Sequence, residues 1–176
     1  WQYFEGRLNL SDFAIKNESI NKLQKKLHLK DKIDKHSKIL VLREQGIGDE
    51  ILYGTMYRDV LENVDDVTIE CDKRLINIFK NSFKEFKNKF IELGSISNND
   101  VKLKKFNNVI YAGSLGKYFR NKIIDFEKKP YLIADKKKIE EVQKLINNNK
   151  KNNIGISWRS FKNRYSNEKS LKLEDM

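Results

Sequence analysis

An apolar run, Lys38-Ile39-Leu40-Val41-Leu42, leads directly into the loop Arg43-Glu44-Gln45-Gly46-Ile47-Gly48-Asp49. A helical pattern through Ile51, Leu52, Met56, Val60 and Leu61 follows the loop. Further short apolar runs, at residues 67–71, 90–93 and 109–112, alternate with helical patterns along the chain. Short buried strands that alternate with helices are typical of right-handed β-α-β units. The sequence therefore predicts an α/β domain with a parallel sheet flanked by helices.

The segments outside this pattern are less regular. Residues 1–8 are rich in aromatic side chains, and residues 9–37 are polar and lysine-rich with no clear period, so we expect a helical or irregular arm over 1–37. Asp72 is predicted to cap the helix after the second strand. An amphipathic helix is predicted over about 135–147 and a buried strand over 153–158. Because the chain begins with Trp1 rather than Met, we expect it to be a piece of a longer protein.

Composition and charge exclude several classes of protein. The 176 residues include 36 Lys and Arg against 25 Asp and Glu, a net charge of +11. Lysines lie beside acids, as in residues 30–35 and 136–141, which is typical of solvated helix faces and predicts no nucleic-acid partner. One Cys and two His exclude a disulfide framework and disfavour a metal centre. No apolar run is long enough to cross a bilayer, and there is no signal peptide, which predicts a cytoplasmic location.

The loop after the first strand is the first candidate site, because ligands of open parallel sheets bind beyond the carboxyl ends of the strands. Gly46 and Gly48 permit a tight turn, and the next helix directs N–H groups at the same space. The loop is similar to a dinucleotide-binding fingerprint, with Glu70 or Asp72 near the ribose-binding distance. The third glycine is missing, however, and the charge of Asp49 opposes a pyrophosphate. Dinucleotide binding is therefore disfavoured.

Asp49 has two interpretations from its position alone. One is a helix cap that accepts backbone N–H bonds, which is worth about 1 kcal/mol. The other is a general base, because a carboxylate held ionised at a helix N-terminus can accept a proton from an attacking hydroxyl. Two further residues also have both a structural and a functional interpretation. Glu44 is either a solvated loop acid or a ligand-binding group, and Ser114 either caps a helix or bonds an acceptor sugar.

The motifs of the chain, taken in order, resemble one family. The stretch Leu42-Arg43-Glu44-Gln45-Gly46-Ile47-Gly48-Asp49 resembles the "EQG-hydrophobic-GD" loop of bacterial glycosyltransferase-like domains carried behind tetratricopeptide repeats. These domains are related to ADP-heptose:lipopolysaccharide heptosyltransferases and, more distantly, to O-linked N-acetylglucosamine transferases. The other matching segments are Trp1-Gln2-Tyr3-Phe4-Glu5-Gly6-Arg7-Leu8, Ser114-Leu115-Gly116-Lys117-Tyr118-Phe119, Pro130-Tyr131-Leu132-Ile133-Ala134-Asp135, Ile154-Gly155-Ile156-Ser157-Trp158-Arg159 and Lys169-Ser170-Leu171. Gly116 and Ser160 stand where the family usually has Pro and Gly.

The resemblance implies the N-terminal half of a GT-B fold. Residues 38–150 would form a Rossmann-like acceptor-side domain, residues 1–37 would link it to upstream repeats, and residues 151–176 would begin a truncated nucleotide-sugar-binding domain. The implied activity is transfer of a hexosyl or heptosyl group from a nucleotide-sugar to an acceptor hydroxyl, with Asp49 as general base and without a metal or other cofactor. The implied substrate-binding residues are Glu44, Gln45, Gly46, Gly48, Ser114, Ser157 and Arg159, and Arg159 would face the departing diphosphate.

The same resemblance implies the partners. These are the nucleotide-sugar donor, a protein, glycan or lipid-linked acceptor, and tetratricopeptide repeats upstream in the full-length chain. Because most donor-binding residues would follow Met176, we expect the isolated chain to be inactive. The basic charge indicates at most a mild attraction to anionic donors or lipid-linked acceptors, which adds a membrane-peripheral position to the cytoplasmic expectation. The alternative hypothesis is a non-catalytic interaction or scaffold domain beside a repeat array.

Overall fold

The computed structural model describes residues 1, 3–9, 18–28, 32–126, 128–146, 156, 170–172 and 174. Contacts divide the chain into two compact units, Trp1–Asp135 and Lys136–Met176. The domain boundary predicted between residues 150 and 151 stays a prediction, because the residues on both sides of it lie outside the described part of the chain.

Four parallel strands form the sheet of the first unit, in the order β3-β2-β1-β4. The central strand β1 (Lys38–Leu42) lies between β2 (Asp66–Cys71) and β4 (Asn108–Tyr111), and β3 (Phe90–Glu92) pairs with β2. Each strand lies within one residue of its predicted bounds. The prediction of an α/β fold with a Rossmann-like parallel sheet flanked by helices is therefore confirmed.

Helices and short 3₁₀ segments connect the strands. The α-helices of the first unit are α1 (Glu18–His28), α2 (Ile47–Gly54), α3 (Tyr57–Asn63), α4 (Ile76–Ser82), α5 (Asp100–Leu103) and α6 (Gly116–Phe119). The 3₁₀ segments are Phe4–Asn9, Lys84–Lys89, Ala112–Leu115 and Ile123–Asp125. Among the described residues, no helix has the length and apolar character needed to cross a membrane.

Alternate residues of β1 face two different cores. Ile39 and Val41 belong to the larger core, which also holds side chains of α3 and α4. Leu40 and Leu42 belong to a smaller core that they share with Ile20 of α1. None of these four β1 residues is more than 5% exposed. This pattern is expected for a parallel strand that is covered on both faces.

Aromatic rings and one thiol fill the larger core. The centroids of Tyr57, Phe79, Phe83 and Phe90 lie 5.3 to 6.4 Å apart. Phe79 and Phe83 therefore face inward. Cys71 is wholly buried in the same core. Burial raises the pKa of this thiol to about 12.

The helix α1 departs from the expectation of an arm without a clear period over residues 9–37. Ile20 and Leu27 of α1 are at most 3% exposed, and Leu23 packs against the smaller core. The spacing of these three residues is that of one helix face. Lysines surround them in the sequence, and this polar background hides a short apolar stripe.

The single helix predicted after the glycine loop is two helices, α2 and α3. The Tyr131 hydroxyl donates a hydrogen bond to the Ile51 carbonyl. The Thr55 N–H, which would bond that carbonyl in a continuous helix, bonds the Leu52 carbonyl instead. Gly54 lies at this break, and its low helix propensity lowers the cost of ending α2 there.

The second unit contains α7 (Lys136–Ile146), which confirms the amphipathic helix predicted over 135–147. The strand predicted over 153–158 lies outside the described residues, apart from Ile156.

Candidate functional site

The carboxyl ends of β1 and β4 meet where the chain changes direction across the sheet. From β1 the chain continues outward to β2 and β3, and it then returns to place β4 on the other side of β1. In open α/β sheets, ligands bind in the crevice beyond the strands at such a switch point. In this protein the crevice lies between the loop after β1 and the 3₁₀ segment Ala112–Leu115.

The N-terminal segment of the chain occupies this crevice. Arg7 Nε donates to Glu44 Oε2 at 2.7 Å, and Arg7 Nη2 donates to Glu44 Oε1 at 2.8 Å. Arg7 Nη2 also donates to Ser114 Oγ at 3.0 Å. The exposed fractions are 9% for Arg7 and 4% for both Glu44 and Ser114. Two residues predicted to bind substrate are therefore brought together, and the ligand they hold is the chain's own guanidinium group.

Neighbouring groups fix the Arg7 side chain further. Nη1 donates to Glu5 Oε1 at 2.9 Å and to the Phe4 carbonyl at 3.1 Å, and the guanidinium carbon lies 4.0 Å from the centroid of the Phe4 ring. Burial lowers the pKa of Arg7, but hydrogen bonds and the charges of Glu44 and Glu5 outweigh burial and raise it. Arg7 therefore stays charged in the fold.

Two glycines let the N-terminal segment approach this closely. The Gly113 N–H donates to Glu44 Oε1. A Cβ atom at Gly113 would collide with the same oxygen and lie 2.9 Å from Arg7 Nη2. A Cβ atom at Gly116 would collide with the indole ring of Trp1. This packing has no local signal in the sequence, because nothing in residues 113–116 points to residues 1–7.

The glycine loop follows Glu44 directly and leads into α2. Gln45 adopts a left-handed backbone with φ of 58°, which is uncommon outside glycine. Gly46 is the N-cap of α2, and Asp49 is the third residue of the helix. Asp49 Oδ2 accepts the Gly46 N–H at 3.0 Å. Asp49 is thus not the N-cap, although it does bond a backbone N–H at the helix start. Gly48 is exposed, and a Cβ atom added there would meet no other atom within 4 Å.

The Asp49 carboxylate is half-buried, and its Oδ2 accepts the Gly46 N–H. Among the residues that the structure describes, no hydrogen bond reaches Asp49 Oδ1. The two interpretations of Asp49 are therefore compatible, since one oxygen orders the helix start while the other can meet a ligand.

A buried carboxylate organises the next part of the edge. Glu50 is wholly buried, and its Oε1 accepts the Asp72 N–H at 2.8 Å. Arg43 Nε lies 3.3 Å from Glu50 Oε2, and Arg43 Nη1 donates to Asp72 Oδ2 at 2.8 Å. Burial raises the pKa of Glu50, although the Asp72 N–H and the Arg43 charge oppose the rise. Sequence reasoning missed Glu50, because its burial depends on the packing of α2.

Asp72 does not cap α4, because the N-cap of that helix is Leu75. The Asp72 Oδ1 atom accepts the backbone N–H and Nε–H of Arg74, both at 2.9 Å. These hydrogen bonds from Arg74 hold the pKa of Asp72 well below its usual range. Asp72 therefore stabilises the turn that precedes α4, and it links two arginines, Arg43 and Arg74.

Glu70 has a structural role within the loop after β3. Its carboxylate is wholly buried and accepts N–H groups from Gly94, Ile96 and Ser97, together with the Ser97 hydroxyl. These bonds engage both carboxylate oxygens of Glu70 within its own loop contacts.

An open pocket of ≈ 400 Å³ lies at the carboxyl ends of β1, β2 and β3. Its lining residues are Arg43, Asp72, Lys73, Arg74, Glu92 and Leu93. The lining carries three cations and two acids, and Asp72 is already engaged by both arginines. Asp49 is not part of this lining, so the pocket and the glycine loop are neighbouring features of one edge. No cluster of His, Cys, Asp and Glu in the described part of the chain is suited to hold a metal ion.

The remaining predicted site residues, Ser157 and Arg159, lie outside the described residues. Comparisons of the chain with protein-family models, with curated proteins and with solved structures find no match.

Proposed function

We propose that this chain contains the acceptor-side domain of a GT-B glycosyltransferase, with Asp49 as general base. The observation that carries the proposal is the Asp49 carboxylate, which follows the central strand. Its Oδ2 accepts the Gly46 N–H, and no hydrogen bond from the described residues reaches its Oδ1. A general base needs this combination of a fixed orientation and an open lone pair.

The proposed reaction transfers a sugar from a nucleotide-sugar to an acceptor hydroxyl. Asp49 Oδ1 takes the proton of the hydroxyl as the hydroxyl oxygen bonds the anomeric carbon, and the bond from that carbon to the diphosphate breaks. The resemblance described above implies an inverting reaction without a metal ion, with Arg159 near the departing diphosphate. The open surface at Gly48 leaves room for an acceptor to approach the loop.

The occupied switch-point crevice favours a second candidate, a non-catalytic interaction domain. Glu44 and Ser114 bind Arg7 rather than presenting free polar groups. In this second hypothesis, the edge of the sheet serves to dock the segment that enters the domain at residue 1. Tetratricopeptide repeats upstream would then be held in a fixed position by that segment.

The two candidates differ in their response to nucleotide-sugars. We expect the full-length protein to gain thermal stability with one member of a panel of nucleotide-sugars, since a ligand that binds only the native state raises Tm. The same nucleotide-sugar should support release of its nucleotide in the presence of an acceptor. No stabilisation and no nucleotide release across the panel would support the interaction domain and contradict the enzyme.

A further inference from the structure

A short turn after α6 exposes three large apolar side chains to an unusual extent. Ile123 and Ile124 of the 3₁₀ segment Ile123–Asp125 are 89% and 82% exposed, and Phe126 is 46% exposed. Adjacent isoleucines that both project into water contribute little to the fold. A concentrated apolar patch on a surface indicates contact with another molecule or with a membrane.

The turn is held in a fixed conformation. Asp125 Oδ2 accepts the Lys122 N–H at 2.8 Å, and the Asp125 N–H bonds the Lys122 carbonyl at 3.0 Å. The Arg120 guanidinium lies 5.7 Å from the centroid of the Phe126 ring and forms an ion pair with Asp59 at 2.7 Å. The isoleucines therefore project from an ordered support.

Cations surround the apolar tip. Residues 117–129 contain five Lys and Arg residues against two Asp and Glu residues. Lys122, Lys128 and Lys129 are exposed on either side of the tip. Trp1 lies close to the same turn, since its indole N–H donates to the Arg120 carbonyl at 2.6 Å. Apolar tips with flanking lysines and a nearby Trp are typical of surfaces that meet the interface of an anionic membrane.

The alternatives fit this surface less well. A second copy of the chain would bring lysines against lysines, which is unfavourable. The three apolar side chains expose a few hundred Å², whereas one partner of a stable protein–protein interface buries about 800 Å². A short turn with so little exposed apolar surface is better suited to a fluid lipid layer than to a protein surface.

We propose that the turn Lys122–Phe126 inserts into the interfacial layer of an anionic phospholipid bilayer. Ile123 and Ile124 enter the boundary between headgroups and acyl chains, while Lys122, Lys128 and Lys129 contact lipid phosphates. The attachment is reversible, because it combines a small apolar contact with an electrostatic one. This inference does not depend on the proposed sugar transfer.

The test is sedimentation of the whole chain with lipid vesicles. We expect binding to vesicles that contain phosphatidylglycerol, weaker binding to pure phosphatidylcholine, and a loss of binding as salt rises. The variant Ile123→Ser/Ile124→Ser should lower the partition coefficient about tenfold or more, because two large apolar side chains no longer enter the bilayer. Val101→Ser is the matched control, since Val101 is 74% exposed on α5, and it should bind like the native chain.

Four results would overturn the proposal. One is the absence of binding to anionic vesicles, and another is equal binding by the native chain and Ile123→Ser/Ile124→Ser. The third is a native dimer in sedimentation velocity that the same variant dissociates, which would assign the turn to a second copy. The charge variant Lys122→Glu/Lys128→Glu/Lys129→Glu keeps the proposal testable if the serine variant fails to fold. It should lose binding to anionic vesicles, and full binding by this variant would equally overturn the proposal.

Discussion

Arg7 and Glu44 form a buried ion pair through two hydrogen bonds of 2.7 and 2.8 Å. The pair joins the N-terminal 3₁₀ segment to the loop after β1 across 37 positions of sequence. A buried charge is costly unless it has partners, so each member of this pair depends on the other. The first segment of the chain is therefore an integral part of the α/β unit.

Loss of one member of the Arg7–Glu44 pair should be strongly destabilising. We expect Arg7→Ala to lower the free energy of unfolding by about 3–5 kcal/mol, because it leaves Glu44 buried without its cation. Arg58→Ala is the control, since Arg58 pairs with Glu62 and Glu85 on the surface, and it should cost less than about 1 kcal/mol. Denaturant unfolding measures both. Equal, small losses for the two variants would show that the buried pair does not hold the segment.

Substitution by alanine should have different effects on the stability of the fold at Gly113 and at Gly48. A Cβ atom at Gly113 collides with Glu44, so Gly113→Ala is expected to cost about 1–3 kcal/mol. Gly48 lies in α2 with open space around it, and Gly48→Ala is expected to be neutral or to stabilise the fold by up to about 1 kcal/mol. Thermal unfolding of the two variants compares these effects directly. A harmless Gly113→Ala would contradict the close approach of the N-terminal segment.

Glu50 should contribute less to the free energy of unfolding as the pH rises. Its pKa in the fold is raised above the ordinary value of 4.5, so the folded chain binds this proton more tightly than the unfolded chain does. The contribution of Glu50 therefore falls as pH rises from 4.5 through the folded pKa. Compared with Glu50→Gln, which cannot ionise, the native chain should lose stability across this window. Urea unfolding at a series of pH values measures the difference.

Glu85 supplies the opposite control for that experiment. Hydrogen bonding to Arg58 lowers the pKa of Glu85, so its contribution is present above the unfolded pKa and is lost as pH falls. Relative to Glu85→Gln, the native chain should lose stability toward acid. For each variant, the difference in free energy of unfolding from the native chain is plotted against pH. Slopes of the same sign for Glu50→Gln and Glu85→Gln would contradict the assignment of a raised pKa to Glu50.

The regular part of the fold can be predicted because its signal is local. The run 38–42 is apolar on both faces, and a strand covered on both faces needs this composition. The break between α2 and α3 cannot be predicted in this way, since the hydroxyl that bonds the Ile51 carbonyl there belongs to Tyr131, 80 positions away. The stripe of α1 is present in the sequence, but lysines interrupt its three apolar residues.

In the candidate site, too, the residues that can be predicted are those with a local signal in the sequence. The glycine loop and Asp49 can be predicted, because a strand, two glycines and an acid lie within one short stretch. Glu44 and Ser114 are hydrogen-bonded to Arg7, which lies 37 and 107 positions away from them in the sequence. No local pattern indicates that a distant guanidinium group fills the switch point. Ion pairs between residues so far apart in sequence can be identified only in the folded structure.

The most direct measurement of the central claim is the rate of sugar transfer by the full-length protein with Asp49→Asn. If Asp49 is the general base, kcat should fall by about 10²-fold or more while Tm stays close to the native value. Asp34→Asn is the matched control, because Asp34 also accepts a backbone N–H, from His36 at 3.0 Å, but it precedes β1 at the opposite edge of the sheet. This control should keep its activity. Native kcat in folded Asp49→Asn would contradict the claim.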